Sequence, residues 1–365
     1  TFAHPTILDT KSISLGLSGG IDSRVILSLL GSSAHQSFST HTFGHPNDPD
    51  VRVSEQIVRK LHLERLYFYE PIPPVEECIA MVRSFVSQTD LIEPASSVLK
   101  LRYYPGLHAR NKLMLDGGFG EIHRRQYLNR LLRFGKRYMR NGDARAIFSL
   151  MRVMRADIFS RDVDDEFVRG CEHQIAELWE TMPRSAQVGE ENFADLVAIR
   201  TRFPNYGGPE QARLDGEVVN YMPFVQPSLL RCMLATPVAE RRNGKAYRRI
   251  ISLLRPELTE FPLVKSGTTY PFNVSTTAAW GLTKLKTKMG LRFVDPTLHE
   301  FLQHISEFVQ DLAHAQVVRT FWAYDAARIR KLVEEYYAGN AGLASQVDWW
   351  LTFEVWRQAL HHEPG

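Results

Sequence analysis

Apolar and polar positions follow two alternating periods along the first third of the chain. Ile13 to Leu17 is a short apolar run that reads as a buried strand. After Gly19-Gly20, apolar residues recur at helical spacing through Val25, Ile26, Leu29 and Leu30. Ser37 to Phe43 reads as a second strand, ended by the turn-rich loop Gly44-His45-Pro46-Asn47-Asp48-Pro49. Val51 to Leu63 has helical periodicity with Asp50 as its expected N-cap. Arg65 to Tyr69 reads as a third strand, Pro73-Pro74 as the start of another helix, and Lys112 to Leu115 as a fourth strand. That last strand is closed by Asp116-Gly117-Gly118. The alternation predicts an α/β fold, a parallel sheet with crossover helices whose ligand lies at the carboxyl ends of the strands. After about Ile122 the strands stop, which divides the chain into an α/β core over 1–123 and a mostly helical part over 124–365.

The first strand-to-helix turn carries the clearest chemistry. Its glycines let the backbone approach an anion, and the new helix points free N–H groups and its positive end at the same place. Ser18 and Ser23 add hydroxyl donors, and Asp22 puts a carboxylate where a divalent cation bridging phosphates would sit. Gly-Gly between a strand and a helix is by itself only a turn; serines on both sides and an aspartate between them narrow it to a polyphosphate cradle. No Gly-Lys-Ser/Thr follows, so the loop is not a Walker A loop, and it lacks the Gly-x-Gly-x-x-Gly dinucleotide pattern.

Composition sets wide bounds. The 365 residues suffice for a large core, and 44% hydrophobic with 23% charged residues is ordinary for a globular chain. No apolar stretch approaches the roughly 18 residues of a membrane span, and the first residues do not read as a signal peptide. Cys78, Cys171 and Cys232 stand singly, without zinc spacing or a disulfide framework, as suits a cytoplasmic protein. His361-His362 offers no metal spacing, and Trp349, Trp350 and Trp356 lie at helical spacings that suggest packing. Between Arg124 and Arg155 the basic residues are opposed by a single acid, Asp143. Such a stretch can bind nucleic acid, an acidic carrier or a leader peptide. The simpler reading is a solvated face, or pairing with Asp162, Asp164, Asp165 and Glu166 downstream.

The hexapeptide Ser18-Gly19-Gly20-Ile21-Asp22-Ser23 resembles the PP-loop of the N-type ATP pyrophosphatases, which split ATP into AMP and pyrophosphate. Later segments follow the order found in the synthetase domain of asparagine synthetases. These are Phe38 to Gly44, Leu115 to Glu121, Asn220 to Gln226, Gly244 to Arg249, and Pro262 to Gly267 with Pro271-Phe272 downstream. The resemblance implies an adenine nucleotide alpha hydrolase-like fold. It also implies an amide-forming ligase that uses ATP and Mg²⁺, adenylates a carboxylate and passes it to ammonia or an amine. On that resemblance Ser18, Gly19, Gly20, Asp22 and Ser23 fall at the pyrophosphate and Mg²⁺ site, with Gly117 beside them. Leu17 and Phe43 fall where the family holds adenine and ribose. Asp116 takes the place of a family acid, and Lys265 matches the lysine that stabilises the transition state near the α-phosphate.

The chain also departs from that pattern. The family's metal-binding aspartate falls on Phe119 and the acid beside it on Gly120; a gap brings Glu121 there, as a metal ligand with Asp22. Val225-Gln226 replaces the family's Leu-Asp, which alters the acceptor pocket. Glutamine-dependent members begin with a glutaminase domain opened by a nucleophilic cysteine, whereas only a short stretch precedes the loop here. The expectation is a glutaminase half that is separate or removed, or an intramolecular amine, as in the β-lactam synthetases and lasso-peptide cyclases that share this domain. Expected partners are a small-molecule or peptide carboxylate and, as a homodimer, a second copy; nucleic acid is disfavoured and a membrane is not expected. The competing readings are a tRNA-thiolating or lysidine-forming enzyme with the same loop, and a degenerate ATP-binding scaffold.

Overall fold

The computed structural model describes residues 12–31, 38–89 and 91–362, leaving aside the side chains of 276–277 and 361–362. The expectations for Ser37 and for the His361-His362 side chains lie outside these. The described chain forms two compact units, and neither is continuous in sequence. One contains the stretches Thr1–Glu70, Lys100–Tyr127 and Gln211–Asp295; the other contains Pro71–Leu99, Leu128–Glu210 and Pro296–Gly365. Within the part expected to be mostly helical, 124–365, the stretch over 211–295 lies in the first unit.

The first unit is built on a parallel sheet of β1 (Ser12–Gly16), β2 (Ser39–Phe43), β3 (Glu64–Phe68), β4 (Lys112–Leu115) and β5 (Asn220–Tyr221), in the order β3-β2-β1-β4-β5. The α/β class read from the sequence is the one that forms. Parallel strands are covered on both faces, and β1, β2 and β4 are almost wholly buried. β2 is buried despite its polar sequence because its side chains are satisfied internally. Thr42 Oγ1 donates to the Leu17 carbonyl at 2.9 Å and lies 3.1 Å from Ser54 Oγ. His41 Nδ1 lies 3.0 Å from Ser14 Oγ.

Helix α1 (Ile21–Leu30) follows β1, and α2 (Pro49–Leu61) follows β2. Asp48, not Asp50, caps α2: its carboxylate accepts the Asp50 N–H at 2.8 Å, and Pro49 takes the first helical position. Helix α3 (Val75–Ser87) starts just after Pro73-Pro74, as expected. Strands do not stop at Ile122. β5 adds two residues beside β4, too few to show any alternation. A hairpin also forms from β6 (Leu263–Lys265) and β7 (Thr268–Tyr270), turning on Ser266 and Gly267, both with positive φ. The core packs Ile13, Leu15, Val25, Ile26 and Leu27 with Ile251 and Leu263 from the returning segment.

The second unit is helical, with a core of Leu131, Met139, Ile147, Phe193 and Val197. Trp350 is fully buried within it, in keeping with the packing expected of that tryptophan. Among the described residues no helix is long and apolar enough to cross a membrane.

Candidate functional site

The strand order reverses direction at β1, since β2 and β3 lie on one side and β4 and β5 on the other. In an open parallel sheet the crevice at such a switch point is the ligand site. The loops leaving β1 and β4 meet there, in a cleft of about 390 Å³. Its lining includes Leu17, Ser18, Gly20, Asp22, Ser23, Phe43, Asp116 and Gly117 from the expected set, while Gly19, Glu121 and Lys265 lie outside it. His41, Thr42, Asp50, Tyr104 and Met114 line it unforeseen.

The loop's shape depends on contacts far away in sequence. Gly19 donates its N–H to Asp50 Oδ1 at 2.8 Å, and its carbonyl accepts the Val264 N–H at 2.9 Å. A Cβ on Gly19 would stand 2.2 Å from Val264 Cγ2, so only glycine fits. The Ser18 and Ser23 hydroxyls lie 3.4 Å apart, and Ser18 Oγ accepts the Gly20 N–H at 3.1 Å. No side chain caps α1, which leaves its amino end open to an anion.

Arg24 fixes this loop to the returning segment. Its guanidinium is fully buried and donates to the carbonyls of Gly19, Leu258, Phe261 and Pro262. Burial holds its pKa down to about 10. Because Val264 is bonded to Gly19, the next residue, Lys265, stands beside the loop. Its amine makes no hydrogen bond to a described residue, and burial, reinforced by Arg124, lowers its pKa from the usual lysine value.

Asp22 has a different partner from the one expected. Arg124 grips its carboxylate side-on, Nε to Oδ1 at 2.8 Å and Nη2 to Oδ2 at 2.5 Å. Burial pushes the Asp22 carboxyl up to about 6 against the pull of that guanidinium. Gly120 packs directly on Asp22, for a Cβ there would lie 2.4 Å from Cγ and Oδ1. Phe119, where the family pattern has an acid, is buried with φ 63°. Asp116 turns inward to accept the Gly118 N–H at 3.0 Å, and burial raises its pKa. Tyr247 stacks on Phe224, ring centroids 5.5 Å apart, so two of the later segments meet here. The Tyr247 hydroxyl is buried with no hydrogen-bond partner among the described residues.

The cleft suits a nucleotide: its volume lies in the range of small-molecule sites, roughly 300–1,000 Å³, and it sits under an open helix end. A divalent cation fits poorly. Both Asp22 oxygens are engaged by Arg124, and among the described residues no group of three His, Cys, Asp or Glu side chains is arranged to hold a metal. The metal-ligand role expected of Asp22 and Glu121 does not suit this arrangement.

Asp50, Arg24 and Arg124 were missed because their roles are tertiary. Arg24 left a trace, as a charged residue among the buried positions of α1. Arg124 left another, as an arginine following a segment in which glycine replaces an acid.

No curated protein matches the chain. Residues 8–118 match the family model for asparagine synthase, from before β1 to the glycines after β4. Enzymes of that family use ATP, generally with Mg²⁺. The similarity to asparagine synthases thus covers the first four strands of the sheet and the loops at the cleft.

Proposed function

We propose that the chain is an ATP-dependent, AMP- and pyrophosphate-forming amide ligase. The observation that carries this reading is the glycine loop and open helix end at the sheet's switch point, with the Lys265 amine, which has no hydrogen-bond partner among the described residues, beside them. A carboxylate oxygen attacks the α-phosphorus of ATP and pyrophosphate leaves. Ammonia or an amine then attacks the acyl carbon, the C–O bond to AMP breaks, and the nitrogen loses a proton. The α1 N–H groups stabilise charge on the leaving phosphates, and Lys265 meets the charge that develops at the α-phosphate. The Leu17 and Phe43 ends of β1 and β2 hold the base and ribose. Three free cysteines suit a cytoplasmic setting.

The test is AMP and pyrophosphate release from ATP over a panel of carboxylates, each with ammonia. AMP formed with one acid and not the others is expected. Lys265→Ala is expected to bind ATP normally and lose about 100-fold or more in turnover; unchanged turnover removes Lys265 from the site. Asp22→Ala is a poor control, because it strands Arg124.

A second reading, an ATP-binding scaffold, is favoured by one observation: Asp50 and Arg124 already occupy polar groups of the loop. It predicts bound ATP and no AMP with any acid.

A further inference from the structure

We propose that Arg124 replaces a divalent cation at the loop: its guanidinium neutralises Asp22 and offers its remaining N–H groups to a di- or triphosphate. The pair is a side-on fork that uses Nε and Nη2 and leaves Nη1 without a hydrogen bond to any described residue. Guanidinium groups bind carboxylate and phosphate by the same planar geometry, so one arginine can hold both. Two glycines make room for it. Gly120 leaves room for the Asp22 carboxylate, since a Cβ at that position would stand 2.4 Å from its Cγ. Gly244, at φ +66°, would place a Cβ only 3.3 Å from Arg124 Cδ. A metal at this point needs the Asp22 oxygens free, and Arg124 engages both of them.

The inference rests on the phosphate-binding part of the proposed function, and its test needs no carboxylate substrate. Mn²⁺ is titrated into the full chain without nucleotide and read by electron paramagnetic resonance. Inorganic pyrophosphate binding is measured by calorimetry in EDTA and in Mg²⁺. The expected result is only free Mn²⁺, with pyrophosphate bound in EDTA and its affinity lowered about tenfold or more in Arg124→Gln. Mn²⁺ held by the wild type and released in Asp22→Asn overturns the proposal, as does equal pyrophosphate affinity in Arg124→Gln. Pyrophosphate binding that requires Mg²⁺ overturns it too, whereas no binding in either condition overturns the nucleotide-site reading beneath it. If Arg124→Gln fails to fold, the wild-type Mn²⁺ titration decides alone.

Discussion

The basic stretch from Arg124 to Arg155 contains two kinds of arginine. Arg124 is largely buried, held by both nitrogens of its fork, and bound to a residue 102 positions earlier. The basic residues from Arg130 onward belong to the helical unit, and several pair near its surface. Arg152 meets Asp164 at 2.6 Å, Arg145 meets Glu172 at 3.6 Å, and Lys136 meets Glu190 at 2.9 Å. Arg155 lies over the Trp349 ring, 3.8 Å from its centroid. The expected pairing with the downstream acidic run thus occurs at Asp164, while Glu172 and Glu190 take other partners. Charge density along the sequence is the same for both kinds. What separates them is desolvation, which makes a lost partner costly in one case and cheap in the other.

Substitutions should rank by that difference. Asp22→Ala leaves the Arg124 guanidinium buried and unpaired, and is expected to cost about 3–5 kcal/mol in a denaturant titration. Loss under 1 kcal/mol would place Arg124 among the surface arginines. Arg24→Met leaves four inward-facing carbonyls without a donor and is expected to cost about 3 kcal/mol. Asp50 tests the same contrast through pH. Burial, with Asp48 nearby, pushes its carboxyl up to about 6, above the ordinary 3.8. A raised folded-state pKa stabilises below the unfolded value, and that contribution is lost as pH rises through about 6. Asp50→Asn keeps an oxygen for the Gly19 N–H, so it should stabilise the chain at pH 7.5 and flatten its stability between pH 4 and 7. A steeper profile would show that the ionised form is the one the loop favours. Arg140→Ala, in an exposed pair with Glu190, should shift stability by about 0.5 kcal/mol or less.

The elements legible in the sequence were those with a local period. β1 to β3 form within one or two residues of their expected bounds, apart from the undescribed Ser37, and β4 matches exactly. The Ser-Gly turn of the β6–β7 hairpin was written in the sequence as well, but it was read there only as part of a motif. β5 has no period to read, because it is a strand only by virtue of its neighbour. The loop's residues are neighbours in the sequence, yet their partners were hidden. Gly19 reaches Asp50 across 31 positions, Asp22 reaches Arg124 across 102, and Arg24 reaches Leu258 across 234. Side chains that satisfy distant backbone or charge leave no repeating mark.

That last separation has a consequence for synthesis. At roughly 5–20 residues per second, on the order of 10 to 50 seconds pass between the emergence of Arg24 and that of Leu258. Throughout that interval α1 carries a cation whose carbonyl acceptors at Leu258, Phe261 and Pro262 do not yet exist. The loop's final geometry is therefore a late event on the ribosome, reached only when the returning segment arrives.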